Sequence, residues 1–228
     1  MIVVFDIDGT LCRTSGVDDR CWSQAAEEVI GVRGMSTDWS DYPHSTDESI
    51  ACALIREHLA REPDRALLDR LRDRFVELLH ETLERDPGQF LATPGAEAML
   101  AHLQGRGDCV AIATGGWRRS ARLKLEAAGI VHEGLPAAFA DDAHPREAII
   151  GIALDRAAQQ RGCAIEALGP RVYVGDGLWD LRAAGRLGMG FVGLADGVRA
   201  RELRAAGASV VMADFTDLPA FEAALDRS

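Results

Sequence analysis

From about residue 94 the chain alternates short apolar runs with longer helical segments, and few architectures accommodate that rhythm. "CVAIAT" (109–114), "RVYVGD" (171–176), "GFVGLA" and "SVVMA" have the length and apolar content of buried strands, with a weaker run in "LPAAFA" (135–140). Between and around them, "PGAEAMLAHLQGRG", residues 118–129, residues 145–162, "DLRAAGRLG", "ELRAAGA" and residues 219–227 read as helices. Strands that alternate with helices imply a parallel sheet covered on both faces. A first strand, "IVVF", opens the chain at Ile2. Residues 13–93 break the pattern: they hold no good strand run, but three helical segments near 18–31, 45–60 and 64–86. The turn-rich "DPGQFLATPG" (86–95) then reads as a return hinge. The expected plan is a Rossmann-like α/β core made of residues 1–14 and 90–228, with a helical cap of residues 15–89 inserted after the first strand.

Composition excludes several classes. The 228 residues carry a net charge of −11 with no basic stripe, which argues against nucleic acid or an anionic membrane as partner. No run of 18 apolar residues exists, so no membrane span is expected, and a strand starting at residue 2 leaves no room for a signal peptide. Five scattered cysteines without a C-x-x-C pair read as reduced thiols, with Cys12 a packing residue, and the cytoplasm is the expected compartment. Basic residues are almost all arginine; Lys124 is the only lysine. Whether the protein is a monomer or a homodimer is left open by the sequence.

The first strand runs directly into Asp6, and Asp8 follows two positions later, on the same side of an extended chain. Two carboxylates that close repel, and burying them costs several kcal/mol without compensation. Two other strands also end in site-like residues: Thr114-Gly115-Gly116, and Gly175-Asp176-Gly177 with Asp180 four residues beyond Asp176. Ligands of open parallel sheets bind at the carboxyl ends of the strands. If these strands are neighbours, four acids, a hydroxyl and several approachable backbone N–H groups converge. Four carboxylates in one place need a cation. Oxygen donors favour a hard ion, and Mg²⁺ takes carboxylates, waters and a substrate phosphate.

"FDIDGTL", "IATGG" and "VGDGLWD", in that order, resemble the haloacid dehalogenase-like superfamily of phosphatases, and the insertion after the first motif resembles that family's helical C1 cap. The resemblance spans Asp6 to Asp180. It implies that Asp6 is a nucleophile forming an aspartyl-phosphate, and that Asp8 is the acid/base. It further implies that Asp6, the Asp8 backbone carbonyl and Asp176 bind Mg²⁺ with Asp180 orienting the metal shell, and that Thr114 and the Gly115 N–H hold the phosphate. The alternative for Asp180 is an acid favoured by a helix N-terminus. The family's basic residue is usually a lysine between the second and fourth motifs. Here "ADDAHPREAII" has none, and Lys124 comes too early, in the helix directly after "TGG". Arg146 is the expected substitute, able to bind phosphate in a bidentate way, with His144 as runner-up.

Within the family, Asp8 speaks against dehalogenases, which lack an acid there, and the lysine-free cap speaks against a Schiff-base phosphonatase. Hydrolysis of a small phosphorylated metabolite is the expected activity, with a sugar phosphomutase (β-phosphoglucomutase-like) as alternative. A non-catalytic binding or regulatory protein is the alternative of another class, disfavoured by the intact acids. Phosphoglycolate-like acids and sugar phosphates are the first substrates the resemblance suggests. Candidate readers of the leaving group are Arg13, Arg20, Trp22, the loop containing Tyr42, His44, Thr46 and Asp47, and Trp117; loop packing, helix capping and core packing are the competing roles. Arg118 and Arg119 read as solvated.

Overall fold

The computed structural model describes residues 1–228. Six strands form one parallel sheet: β1 (Ile2–Phe5), β2 (Cys109–Ala113), β3 (Ala137–Ala138), β4 (Arg171–Gly175), β5 (Gly190–Leu194) and β6 (Val210–Met212). Their order is β3-β2-β1-β4-β5-β6, so β1 lies at the centre, between β2 and β4. Phe5 pairs with Ile112 on one side and Val174 on the other, which sets the ends of three strands level. All strand pairs are parallel, as expected of runs separated by helices. The third strand is shorter than the sequence suggests, two residues at the sheet edge rather than 135–140.

Alternation along β1 divides the core. Val3 and Phe5 face one apolar layer with α4 (Ala96–Gly105), α5 (Arg118–Ala127) and α9 (Leu218–Leu225). Ile2 and Val4 face the other, with α6 (Arg146–Arg161), α7 (Leu178–Arg186) and α8 (Gly197–Ala205). Every residue of β1 is buried, as a central strand covered on both faces requires.

Between β1 and β2 the chain forms α1 (Ser15–Ile30), two short 3₁₀ turns (Trp39–Asp41 and Pro43–Ser45), α2 (Asp47–Leu59) and α3 (Arg65–Arg85). α1 packs along α3, and their apolar faces build a separate cluster around Trp22, Leu71 and Phe75. That cluster also takes in Trp117, Leu123 and Ala140 of the core. The Trp22 and Trp117 rings stack at 5.9 Å with 11° between their planes. The two connections run side by side. Arg13 N–H donates to Leu91 O at 2.8 Å, and Thr93 N–H to Leu11 O at 2.9 Å, so the insertion leaves and returns through one paired stem. No helix is long and apolar enough to cross a membrane.

Candidate active site

The strand order brings the three motif-bearing ends together, because β1 is hydrogen-bonded to both β2 and β4. Asp6 follows the last residue of β1, Thr114 the last of β2 and Asp176 the last of β4. Gly9, at φ +74°, lets the chain turn out of the strand, and the space its missing side chain leaves is filled by the Asp176 carboxylate. Asp180 sits in the first turn of α7, where its Oδ2 accepts from the Gly177 N–H at 3.0 Å. It caps its helix, and its carboxylate also stands beside those of Asp6 and Asp176.

Carboxylate oxygens of Asp6, Asp176 and Asp180 lie within 4.8 Å of one another, all three buried. Asp6 Oδ1 and Asp180 Oδ1 have no hydrogen-bond partner. Burial raises the pKa of each acid. Asp176 is pushed up to about 7, by burial first and against the pull of Arg199, which binds its Oδ2. Asp180 is raised well above the usual carboxylate range and Asp6 is raised too, in both cases against the attraction of Arg146. Hard oxygen donors, crowded, buried and short of donors, fit a small divalent cation such as Mg²⁺.

This fit predicts the response to metal. Asp176 holds its proton more tightly folded than unfolded, so its ionisation costs stability as the pH rises from about 4 through about 7. A cation that needs the ionised form offsets that loss. Mg²⁺ at ~100-fold above its Kd should stabilise the protein by about 2.7 kcal/mol, a melting shift of several degrees at pH 8 that shrinks at pH 6. Thermal unfolding in Mg²⁺ against EDTA reads this; identical curves at both pH values would count against a metal site here.

Arg146, at the start of α6, is 6% exposed and reaches the same point. Its Nη1 lies 3.0 Å from Asp180 Oδ1 and 3.5 Å from Asp6 Oδ1, and its Nη2 donates to Ser45 O at 2.9 Å. Burial opposes its charge, but Asp180 and Asp6 outweigh that and keep it protonated. Gly115 is required beside it: a methyl group there would collide with the guanidinium and with Ser45 O. Of the two candidate bases, then, only Arg146 enters the site; His144 is exposed and does not line the cavity.

Asp8 is held on both oxygens. Thr14 Oγ1 donates to Oδ1 at 2.6 Å, and Lys124 Nζ meets Oδ2 at 2.5 Å. Lys124 is 1% exposed and also contacts Asp18 of α1. By its position in the chain it comes too early to be the family's basic residue. It does not reach Asp6, but it belongs to the site through Asp8. It stands nearly two turns into α5 and points back to the end of β1, a placement that sequence distance does not reveal. Burial disfavours its charge, and the two carboxylates more than compensate.

The cap closes over this arrangement through polar contacts as well as the stacked tryptophans. Asp47 N–H donates to Gly115 O at 2.8 Å, and Thr46 Oγ1 to His144 O at 2.9 Å. His44 (φ 67°) and Ser45 (φ 47°) both adopt left-handed backbone, a strained turn that aims the Ser45 carbonyl at Arg146. Asp47 Oδ1 accepts from Trp22 Nε1 at 2.9 Å and Oδ2 from Trp117 N–H at 2.7 Å; burial pushes its pKa up to about 6 against the pull of Lys124. Thr46 thus spends its hydroxyl on the core and not on capping α2.

Between core and cap lies a cavity of about 70 Å³ lined by Asp6, Asp8, Thr114, Gly115, Arg146 and Asp176, with cap side chains opposite. At ~10–15 Å³ per water it holds about five waters, so only a small ligand fits the closed form. Several expected cap readers do not line it. Trp22 and Trp117 are buried in the cap–core packing, Arg13, Arg20 and His44 are exposed elsewhere, and Tyr42 donates to Ser36 O. Arg118 is bound to Asp142 and lies over Phe139, and Arg119 pairs with Asp73. Residues the sequence did not single out take their place: Ser15, Asp18, Asp19, Trp39, Trp179 and Arg199. Only Trp179 falls within a motif, "VGDGLWD"; the fold of α1, the 3₁₀ turns and α8 brings in the others.

The family model of haloacid dehalogenase-like hydrolases matches residues 3–185. No curated protein matches the chain. Among solved structures, a hydrolase from Pseudomonas syringae superposes with a TM-score of 0.72 at 22% identity, covering 97% of each chain. A protein from Bacteroides vulgatus, provisionally named a β-phosphoglucomutase, gives 0.70 at 16% identity over 99% of this chain and 88% of its own. A provisionally named phosphoglycolate phosphatase from Haemophilus somnus gives 0.60 at 16% identity over 97% of each chain. At such identities the likeness is one of fold. The family match runs from β1 into α7 and so across the "FDIDGTL", "IATGG" and "VGDGLWD" motifs, and on it the chain belongs to the haloacid dehalogenase-like hydrolases.

Proposed function

We propose that the protein is a Mg²⁺-dependent phosphomonoesterase acting on a small phosphorylated metabolite. The observation that carries this is Asp6 Oδ1: buried, without a hydrogen-bond partner, beside an arginine and two further carboxylates, and lining the cavity between core and cap. A buried carboxylate oxygen is costly to leave unpaired, and a reacting phosphorus atom gives it a use.

Asp6 attacks phosphorus, and the bond from phosphorus to the ester oxygen breaks. Asp8, positioned by Thr14 and Lys124, acts as the acid that passes a proton to the departing oxygen. Asp8, now a base, takes a proton from water as that water attacks phosphorus. The Asp6–phosphorus bond then breaks, releasing inorganic phosphate and restoring both acids. Thr114, the Gly115 N–H and Arg146 hold the phosphoryl oxygens during both displacements. Asp6, the Asp8 carbonyl, Asp176 and Asp180 would hold Mg²⁺, which when bound offsets the charge that a phosphate dianion brings to an anionic nucleophile. The cap narrows the access of bulk water to the reacting atoms.

Steady-state hydrolysis of a generic aryl phosphate tests the reading. Turnover should need Mg²⁺ and should vanish in Asp6→Asn. Arg146→Ala should lower kcat/KM by about 10²-fold or more, while His144→Ala leaves it within about threefold. No turnover above the Asp6→Asn control across a broad ester panel would remove the hydrolase reading, and a loss confined to the histidine variant would remove the role of Arg146. Glucose 1-phosphate belongs in the panel, because formation of glucose 6-phosphate would mark the mutase alternative.

A further inference from the structure

The walls of the cavity differ in charge. The phosphate end holds Arg146, whose Nε is buried without a hydrogen-bond partner, and Asp6 Oδ1, buried with Arg146 Nη1 at 3.5 Å and no hydrogen bond; both leave bonding capacity for a ligand. The opposite wall, contributed by the cap, presents Asp18, Asp19, Asp47 and the ring of Trp39, and no basic side chain. The two cations that line the cavity, Arg146 and Arg199, come from the core and already face its acids. Lys124 is shared between Asp8 and Asp18, so one positive charge serves two negative ones.

These acids are fixed by donors that leave acceptor capacity on their oxygens. Asp19 Oδ1 accepts from Trp39 Nε1 at 3.0 Å, and Asp47 takes one hydrogen bond on each oxygen. Gly116 marks how near they stand to the reacting end. A methyl group on it would lie 3.6 Å from Thr114 Oγ1, 3.8 Å from Asp47 Oδ2 and 3.9 Å from Asp8 Oδ2. The acid that would protonate the leaving oxygen and the cap acid Asp47 therefore flank a single point. Whatever group hangs one or two carbons from the ester oxygen meets Asp47, with Asp19 and Trp39 also on the cap wall.

Taking the phosphatase reading as given, we infer that the leaving group is a small alcohol bearing a protonated amine, bound by Asp47 with Asp19 and the face of Trp39. A carboxylate there would meet three carboxylates, the repulsive arrangement by which binding sites reject a wrong partner. An ammonium finds charged acceptors and an aromatic face. Hydroxy-acid esters such as phosphoglycolate, suggested by family resemblance, thus become the disfavoured class.

Three esters of one size and different charge test this: 2-aminoethyl phosphate, 2-hydroxyethyl phosphate and phosphoglycolate, assayed at pH 7.5 in Mg²⁺. The wild-type kcat/KM for the amine should exceed that for the neutral ester by about tenfold or more, with phosphoglycolate slowest. Asp47→Asn should collapse the amine-to-neutral ratio to within about twofold of one, read as a ratio so that any general loss cancels. Asp19→Asn, at a half-exposed position where folding is less at risk, should lower the same ratio. Preference for the neutral ester or for phosphoglycolate overturns the inference, most directly if phosphoglycolate turnover then depends on Arg199. Unchanged ratios in both variants overturn the residue assignment. Failure of every ester above the Asp6→Asn control is the separate failure of the phosphatase reading, and takes this inference with it.

Discussion

Asp6→Asn is expected to lower turnover of any phosphate ester by at least ~10³-fold while leaving the fold intact. The amide cannot attack phosphorus and cannot be regenerated, and catalysis by groups acting as a unit falls steeply when one is removed. Stability should move the other way. Asp6 is buried, its pKa is raised by that burial, and Asp8 adds to the rise. At pH 7.5 without metal, replacing its charge with a neutral amide removes a desolvation cost and a repulsion. Arg146 loses one contact at 3.5 Å but keeps Asp180 at 3.0 Å. The variant in EDTA should therefore melt no lower than wild type, while its gain on adding Mg²⁺ should be smaller, one of three converging carboxylates having gone. Activity assays paired with thermal unfolding in Mg²⁺ and in EDTA decide the matter. Activity within tenfold of wild type would remove Asp6 as nucleophile. Lost activity with a collapsed fold would give Asp6 a structural role.

What could be read before folding, and what could not, divides along a physical line. The motif acids sit at strand ends, where two local facts, a buried apolar run and the polar residue that ends it, fix a position in space. Asp6, Thr114 and Asp176 are of this kind, and β1 pairing with both β2 and β4 turned three local readings into one site. Arg146 was within reach because it opens a helix next to the motif segment. Lys124 lies between Leu123 and Leu125, all three buried, so the helical pattern of "RRSARLKLEAAG" gives no hint that one of the inward positions is charged. Asp18 and Asp47 are likewise acids in first helical turns, where a surface role at the dipole is the usual account. Their inward direction depends on α1 packing against α3 and on the strained turn at His44 and Ser45. The same packing explains why Trp22 failed as a reader: its face of α1 is the one that stacks on Trp117.

Lys124→Met should be the most destabilising single change in the site. The substitution keeps the length of the side chain and removes only the charge. Lysine Nζ lies 2.5 Å from both Asp8 and Asp18 and the residue is 1% exposed, so no other side chain and no water on the lysine's side of the pair takes its place. Removing one partner of a buried pair costs about 3–5 kcal/mol, because the remaining charge stays in a poor environment. At roughly 2–4 °C per kcal/mol for a chain of this size, melting should fall by about 10 °C. The pH dependence has a definite sign. Burial already holds the pKa of Asp18 well above the usual carboxylate range, with Lys124 pulling against it. Without the lysine, Asp18 binds its proton more tightly still, so the folded variant gains on protonation. The gap to wild type should therefore narrow as the pH is lowered towards 5 and widen towards 8. Adding Asp18→Asn to Lys124→Met should recover part of the loss, since it removes one of the two stranded charges; residues in contact couple by ~0.5–3 kcal/mol. A melting point unchanged within 2 °C, or an equal loss at every pH, would mean that the cap and the acid Asp8 are held by something other than this lysine.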